Sequence, residues 1–361
     1  MPKKIKVGVI GVGNCFAGLI QGIEYYKKNK KEKPIGLMHE KIGPYDFKDI
    51  EFVSAFDVGA NKIGKTLDQA VFAYPNLVKW IKLPKSKVIV KEAPILDGIG
   101  IYVENKIRPL NNPTPIEKLK EEIKKEIKKT KTEILVNYLP VGSQKATEFW
   151  AEMALDTNCA FINCLPVFIA SEKKWAARFA EKRIPIIGDD IKGQIGATIV
   201  HRVLAKLCSD RGATIDKTYQ INVGGNTDFL NMLERNRLES KKISKTEAVI
   251  SQINKDIAAE KIYIGPSDFI PFLGNTKLAF IRLEGKMFAN IPYSIELRLE
   301  VDDKANSAGI VIDAIRCAKL ALDRKIGGYL PVSAYFMKRP LVQYPDEQAR
   351  KIVENFIKGK N

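Results

Sequence analysis

The chain has 361 residues, 45% of them hydrophobic and 28% charged, with a formal net charge of +17. This is the composition of a folded globular protein of about two domains, and it excludes a disordered or low-complexity chain. No run of about 18 apolar residues is present to span a membrane, and the basic start from Met1 to Val9 enters a strand without the apolar core of a secretory leader, so a cytoplasmic protein is expected.

Residues 5–10 are rich in Val and Ile, end at Gly11 and read as a buried parallel strand, followed by a helix over 14–26. A long insert over 24–49 carries a lysine-rich run that reads as a solvated loop. Residues 51–56 form a second strand ending at Asp57, and 87–90 and 133–138 read as further strands. Between those two, Glu and Lys interleave around Ile123 and Ile127 over 117–129, the pattern of a solvated helix face. Residues 160–162 and 185–187 continue the strand–helix alternation. The sum is an α/β fold with a doubly wound, mostly parallel sheet of the Rossmann type.

After Asp190 the pattern changes. Residues 218–223, 278–284 and 295–301 read as antiparallel strands around a helical stretch over 228–253. A long helix over 306–323, with Val311, Ala314, Ile315, Ala318 and Leu322 on its apolar face, returns to the first sheet. Residues 1–195 and 304–361 are therefore expected to form a Rossmann-type domain, and residues 196–303 an inserted α+β domain.

The five cysteines are odd in number and form no C-x-x-C pair, which argues against a disulfide framework or a cysteine zinc site. His39 and His201 are the only imidazoles, so chemistry must rest on Lys, Asp, Ser and backbone groups. The positive charge suits nucleic acid or an anionic small molecule. The lysines are scattered and no aromatic–basic RNA motif is visible, so a small anion is expected, with no nucleic-acid and no membrane partner.

Four segments carry candidate chemistry. In Gly8-Val9-Ile10-Gly11-Val12-Gly13-Asn14-Cys15 a strand ends, a glycine turn follows and a helix begins, the arrangement that seats a dinucleotide pyrophosphate on a helix N-terminus. Phe16 stands where a third glycine is usual, and Asp57 is placed to bind ribose hydroxyls and to favour NAD over NADP. The segment from Asn137 to Gln144 follows a strand and is either a polar turn or part of the ligand crevice. Asp189 and Asp190, with Lys192, also follow a strand; composition favours a helix cap over proton transfer or metal binding. Lys241 and Lys245 are i,i+4 and share a helix face. A solvated pair is the ordinary outcome, and a phosphate clamp or a lysine of lowered pKa is the functional one.

The segments G-V-G-N-C, G-D-D-I-K-G-Q, N-V-G-G-N-T-D-F-L-N, S-K-K-I-S-K-T, L-G-N-T-K and V-D-D-K-A-N-S-A-G occur in this order. Together they resemble the signature segments of myo-inositol phosphate synthases of the archaeal and bacterial branch, over nearly the whole chain. The chain is shorter than eukaryotic members and lacks their longer Gly-Asn-rich nucleotide loop. The resemblance implies conversion of D-glucose 6-phosphate to 1D-myo-inositol 3-phosphate, with NAD used and regenerated, a homotetramer assembled through the inserted domain, and a divalent metal as a further candidate cofactor. Matched residue by residue, the essential lysines are Lys241, Lys245, Lys277 and Lys338, and the essential acids are Asp190, Asp228 and Asp303. Gly11, Gly13, Asn14 and Asp57 match the nucleotide site, and Cys15, Asn137 and Asp189 in the same strand-end motifs join the cofactor-binding set.

The resemblance also implies an order of steps. A sugar hydroxyl at C5 is oxidised with Lys277 as base, and a C6 proton then leaves to a lysine or to the substrate phosphate. The enolate closes on the C1 aldehyde beside Lys241 or Lys338, and the ketone is finally reduced. A two-domain sugar-phosphate or polyol dehydrogenase would instead release NADH. A non-catalytic NAD-sensing or nucleic-acid-binding protein would leave the lysine motifs unexplained.

Overall fold

The computed structural model describes residues 4–253 and 257–360, the side chains at 266 and 267 excepted; residues 1–3 of the basic start and Asn361 lie outside the described residues. In chain order the first part contains β1 (Ile5–Ile10), α1 (Asn14–Lys28), β2 (Lys41–Ile42), β3 (Tyr45–Asp46), β4 (Ile50–Asp57), α2 (Leu67–Ala70), β5 (Val90–Glu92), α3 (Ile116–Thr130), β6 (Ile134–Asn137), α4 (Gln144–Thr157), β7 (Ala160–Asn163), α5 (Lys173–Glu181) and β8 (Pro185–Ile187). Then follow α6 (Ala197–Asp210), β9 (Lys217–Gly224), α7 (Thr227–Asn231), α8 (Glu239–Ile250), β10 (Ile262–Phe269), β11 (Thr276–Lys286) and β12 (Pro292–Asp302). The chain closes with α9 (Asp303–Asp323), β13 (Gly328–Tyr329), α10 (Ser333–Phe336) and α11 (Asp346–Ile357).

The first sheet has seven strands in the order β13-β8-β7-β6-β1-β4-β5, all paired in parallel. β1, β6 and β7 are short apolar runs with almost every residue buried, as strands covered on both faces must be. The chain winds outward from β1 through β4 to β5, returns to β6 and winds outward the other way. The switch between β1 and β6 leaves a crevice at the carboxyl ends of those strands. This is the doubly wound, Rossmann-like α/β fold expected from the sequence. In α3 the side chains of Leu119, Ile123 and Ile127 are buried while the interleaved charges face outward.

Two details of the first sheet differ from expectation. β5 forms at Val90–Glu92 rather than over 87–90, because Leu67 N donates to Val88 O at 2.8 Å and Val90 N to Lys65 O at 2.9 Å. That backbone is engaged by the 65–67 loop before β4 can pair with it. β13 was not anticipated, since two residues are too short to show alternation.

The second sheet has four strands in the order β10-β9-β11-β12. β9, β11 and β12 pair antiparallel as expected, whereas the unanticipated β10 lies parallel to β9. Ala279, Ile281 and Leu283 on the inner face pack with Ala205 and Cys208 of α6 and Val249 of α8. The helical stretch over 228–253 is broken into α7, a 3-10 turn at Arg235–Arg237 and α8. α9 starts earlier than expected because Asp302 caps it, accepting from Lys304 N at 2.9 Å and Ala305 N at 2.8 Å. Buried nearly all round, α9 crosses from the second sheet to pack on α1, β7 and β8.

Candidate active site

One cleft runs from the carboxyl ends of β1 and β6 to the inner face of the second sheet, and it is lined by residues of both. At one end lies the turn between β1 and α1. Gly11 has φ +87°, a conformation that glycine adopts without cost, and a Cβ there would stand 2.9 Å from the Tyr138 carbonyl oxygen. A Cβ on Gly13 would meet nothing within 4 Å, so the backbone there is open to close approach from the cleft. Asn14 accepts from Leu77 N at 2.6 Å, and its buried Nδ2 has no partner among the described residues. Asp57 faces the same end but is already engaged. It accepts from Val12 N at 2.7 Å and Gly59 N at 2.8 Å, and buried Lys62 lies 3.4 Å away while donating to Val12 O at 2.9 Å. The acid expected at the ribose therefore also clamps the glycine turn.

At the other end the seven expected catalytic residues converge with a further lysine, Lys304. Lys241 on α8 pairs with Asp228 at 3.4 Å, Lys277 on β11 with Asp303 at 3.3 Å, and Lys338, in the loop after α10, with Asp190 at 2.7 Å. Lys304 takes the second Asp303 oxygen at 2.9 Å. Burial alone would push the three carboxyls up, but the ammonium groups outweigh it. Asp190 and Asp228 are held below the usual range, and Asp303 well below it, chiefly by Lys277 and Lys304. Lys304 is held up by Asp303 against its own burial. Asp190 sits at φ +61° in the left-handed region, a conformation that places its carboxyl between Lys338 and Ser244.

Lys245 differs from its neighbours. It is buried, forms no ion pair among the described residues, and is pushed well below the ordinary lysine range by burial and by the charges of Lys241, Lys277 and Lys338. The cleft thus holds several ammonium donors, three carboxylates and one amine poised to be neutral.

Not every expected residue reaches the cleft. Asn137 is fully buried, donates to Asn163 Oδ1 at 3.1 Å and accepts from Leu139 N at 3.3 Å. Asp189 is fully buried and accepts from the Asn163 side chain, the backbone of Ile169, Ala170 and Ser171, and the Ser171 hydroxyl. Burial pushes its carboxyl up to about 6. Both lie in a polar layer beneath the cleft, not in its wall. Cys15 lines the cleft, with its thiol pushed up by burial. Sequence reasoning missed Lys304, Lys62 and Ser244. Lys304 stands directly after Asp303 in a quoted motif, and Ser244 lies between Lys241 and Lys245, so both could have been found; Lys62 left no signal.

Comparison with known proteins places this arrangement. Residues 196–304 match the family model described as myo-inositol-1-phosphate synthase. The chain is 50% identical to an inositol-3-phosphate synthase of Mycobacterium tuberculosis over 99% of this chain and 96% of that protein. It is 49% identical to one of Corynebacterium glutamicum over 98% of each. A solved myo-inositol-1-phosphate synthase-related protein from Thermotoga maritima shares the fold, with a TM-score of 0.82 at 24% identity and 99% of each chain covered. With identity of this order along its full length, the chain belongs to the inositol-3-phosphate synthase family.

Proposed function

We propose that the protein converts D-glucose 6-phosphate to 1D-myo-inositol 3-phosphate, using NAD without net consumption. The observation that carries this reading is the convergence of five lysines and three carboxylates in the cleft that also contains the open Gly13 turn. A surplus of positive charge suits a phosphate dianion, and the paired acids keep that surplus small enough to bury.

The residues at the turn fit a dinucleotide. The space over Gly13 admits a pyrophosphate at the N-terminus of the 15-residue helix α1, and Asn14 Nδ2 is an unspent donor beside it. When bound, NAD supplies reversible oxidation at one carbon of the sugar. Gly11, Gly13, Asn14, Cys15 and Asp57 shape its site, while Asn137 and Asp189 support the strand ends from below. Asp190, Asp228 and Asp303 are each matched by ammonium groups, and among the described residues no group of three or more His, Cys, Asp or Glu could hold a metal ion. The donor set does not fit a protein-held divalent cation.

Lys277, oriented by Asp303, carries the hydroxyl proton of the redox carbon. Lys245, the neutral amine, accepts a carbon-bound proton once that centre is a ketone. Lys241 and Lys338 stabilise the oxyanions of the enolate and of ring closure, each held in place by its carboxylate. Residues 1–195 with 304–361 serve the nucleotide, and residues 196–303 supply most of the lysines. The five cysteines are free thiols, as suits a reducing cytoplasm.

The test is incubation with glucose 6-phosphate and catalytic NAD, followed by phosphorus NMR. An inositol phosphate with no net NADH supports the reading. Stoichiometric NADH and a sugar-phosphate oxidation product would replace it with a dehydrogenase.

A further inference from the structure

Arg237 ends the 3-10 turn between α7 and α8 and lies outside the lining of the cleft, yet its guanidinium reaches two loops that help to form that lining. Nε donates to Val141 O at 3.0 Å, and Nη2 donates to Asp97 O at 2.8 Å and to Ser143 Oγ at 3.4 Å. Glu234 Oε2 lies 4.0 Å from Nε and balances the charge. Val141 and Ser143 belong to the loop after β6, and Asp97 to the loop after β5. Ile95, Gly98 and Val141 of these loops face the cleft. In the sheet order β6-β1-β4-β5 the two loops flank the β1–β4 pair, and the Gly11–Gly13 turn follows β1. Arg237 thus ties both banks of the cofactor end to one point just ahead of Lys241.

The fit is built from both sides. Gly142 has φ +84°, and a Cβ there would stand 2.5 Å from the Arg237 Cβ. A Cβ on Gly100 would stand 2.3 Å from Asn231 Oδ1 and 2.7 Å from Glu234 Oε2. Asn231 Nδ2 also donates to Val141 O at 3.0 Å, and Glu234 Oε2 accepts from Ile101 N at 3.0 Å. The Asp97 carboxylate accepts from Lys145 N at 2.8 Å and Ala146 N at 2.9 Å, which fixes its loop to the start of α4.

We infer that Arg237 is a positioning residue that couples the cofactor loops to the lysine helix α8, so that a dinucleotide settling among those loops also fixes Lys241 and Lys245. The inference rests on the proposed use of NAD. Asp97 and Val141 accept through main-chain carbonyls, so the contact follows the path of each loop and not a side-chain rotamer. The rigid fork of a guanidinium serves both carbonyls at once, whereas the ammonium of a lysine is a point charge on a flexible stem. Ser244 still holds α8 to Asp190 when Arg237 is lost, so the helix is loosened at one end and not detached. Displacing reacting groups by about 1 Å costs on the order of a hundredfold in rate.

The test is hydrogen exchange, read by mass spectrometry on the full-length protein without ligand and saturated with NAD. In the wild type NAD is expected to slow exchange about tenfold in α8 as well as in the loops at 94–103 and 138–143. Arg237→Lys keeps the charge but loses the fork. It is expected to bind NAD within about threefold of the wild type and to keep the loop protection. Protection of α8 should fall to about twofold or less, and kcat with glucose 6-phosphate about tenfold or more. Gly142→Ala sets a methyl group against Arg237 from the opposite side and should uncouple α8 in the same way, which decides the matter should Arg237→Lys not fold. A wild type that binds NAD without protecting α8 overturns the inference. So does a variant that keeps α8 protection, or one that loses NAD affinity in the same measure, since a general structural defect would do that. A wild type that binds no NAD would fell the cofactor reading together with this inference.

Discussion

Ser244 donates its hydroxyl to one oxygen of Asp190 at 2.7 Å, while Lys338 holds the other at 2.7 Å. Ser244 belongs to α8, which carries Lys241 and Lys245, whereas Asp190 follows β8 of the first sheet. This bond therefore sets the lysine helix against the loop that follows β8 of the first sheet. Ser244→Ala removes a buried hydrogen bond to a charged group, a contact of about 1.5–3 kcal/mol. We expect kcat/KM to fall about tenfold or more, with a cooperative thermal transition retained. Wild-type kinetics in this variant would show that Asp190 is positioned without Ser244.

The two glycines of the first turn separate binding from folding. Gly13→Val projects into open cleft and should abolish NAD binding while the circular dichroism spectrum and unfolding transition remain those of the wild type. Gly11→Val meets the Tyr138 carbonyl from a left-handed backbone and should lower thermal stability itself. Titration with NAD after a stability check on each variant tests both. Wild-type affinity in Gly13→Val would remove the turn from the cofactor site.

Much of this cleft was legible in the sequence because its groups sit in short segments whose type fixes their position. Gly11 and Gly13 follow a strand of β-branched residues, and Lys241 and Lys245 follow from helical spacing. The solvated-pair reading of those two lysines fails because α6 and β10 pack against α8. β10 left no signal, as its pairing with β9 is a long-range contact, not a local pattern. Asn137 and Asp189 carried the right residue types at strand ends. Whether such a residue faces the crevice or the floor depends on how the following loop folds back, and here Asn163 and the 169–171 loop claim both. Asp57 ends β4, as its sequence position implied, but its contacts with Val12 N and with Lys62 lie beyond reach of any motif.

Lys277 and Lys241 are expected to fail differently. Lys277→Ala removes the lysine assigned to the hydroxyl proton of the redox step, so turnover should fall about a hundredfold or more and no enzyme-bound NADH should be seen in single-turnover absorbance. Lys241→Ala should keep NAD affinity but weaken sugar-phosphate binding or stall ring closure, so that bound NADH accumulates. Full activity in Lys277→Ala would refute the role given to that residue and leave Lys245 as the base.

The outer face of the second sheet points to self-association. Ile221 and Phe280 are 39% and 38% exposed there, and β12 buries none of its residues fully. We expect a homotetramer assembled through this sheet, as light scattering at micromolar concentration would show. A monomer at that concentration, or an Ile221→Glu, Phe280→Glu double variant that still assembles, would place the contact elsewhere or nowhere.

Lys245 makes the last expectation quantitative in protons. Its pKa is depressed first by burial and then by three neighbouring ammonium groups. A phosphate dianion carries about two negative charges into the same cleft, which favours the protonated amine and moves that pKa back up. A group whose pKa rises on binding takes up a proton whenever the pH lies between its free and bound values. Near pH 8 the phosphate is already a dianion, since its second pKa is about 6, so uptake at that pH cannot come from the ligand. Calorimetric titration with glucose 6-phosphate in buffers of low and high ionisation enthalpy should report uptake of a fraction of one proton, part of Lys245 staying neutral to act as the base, and affinity should weaken as the pH is raised further. Lys245→Met, an uncharged side chain of similar reach, should bind without that uptake. Binding by the wild type with no proton exchange, or the same uptake in Lys245→Met, would take the neutral amine away from Lys245.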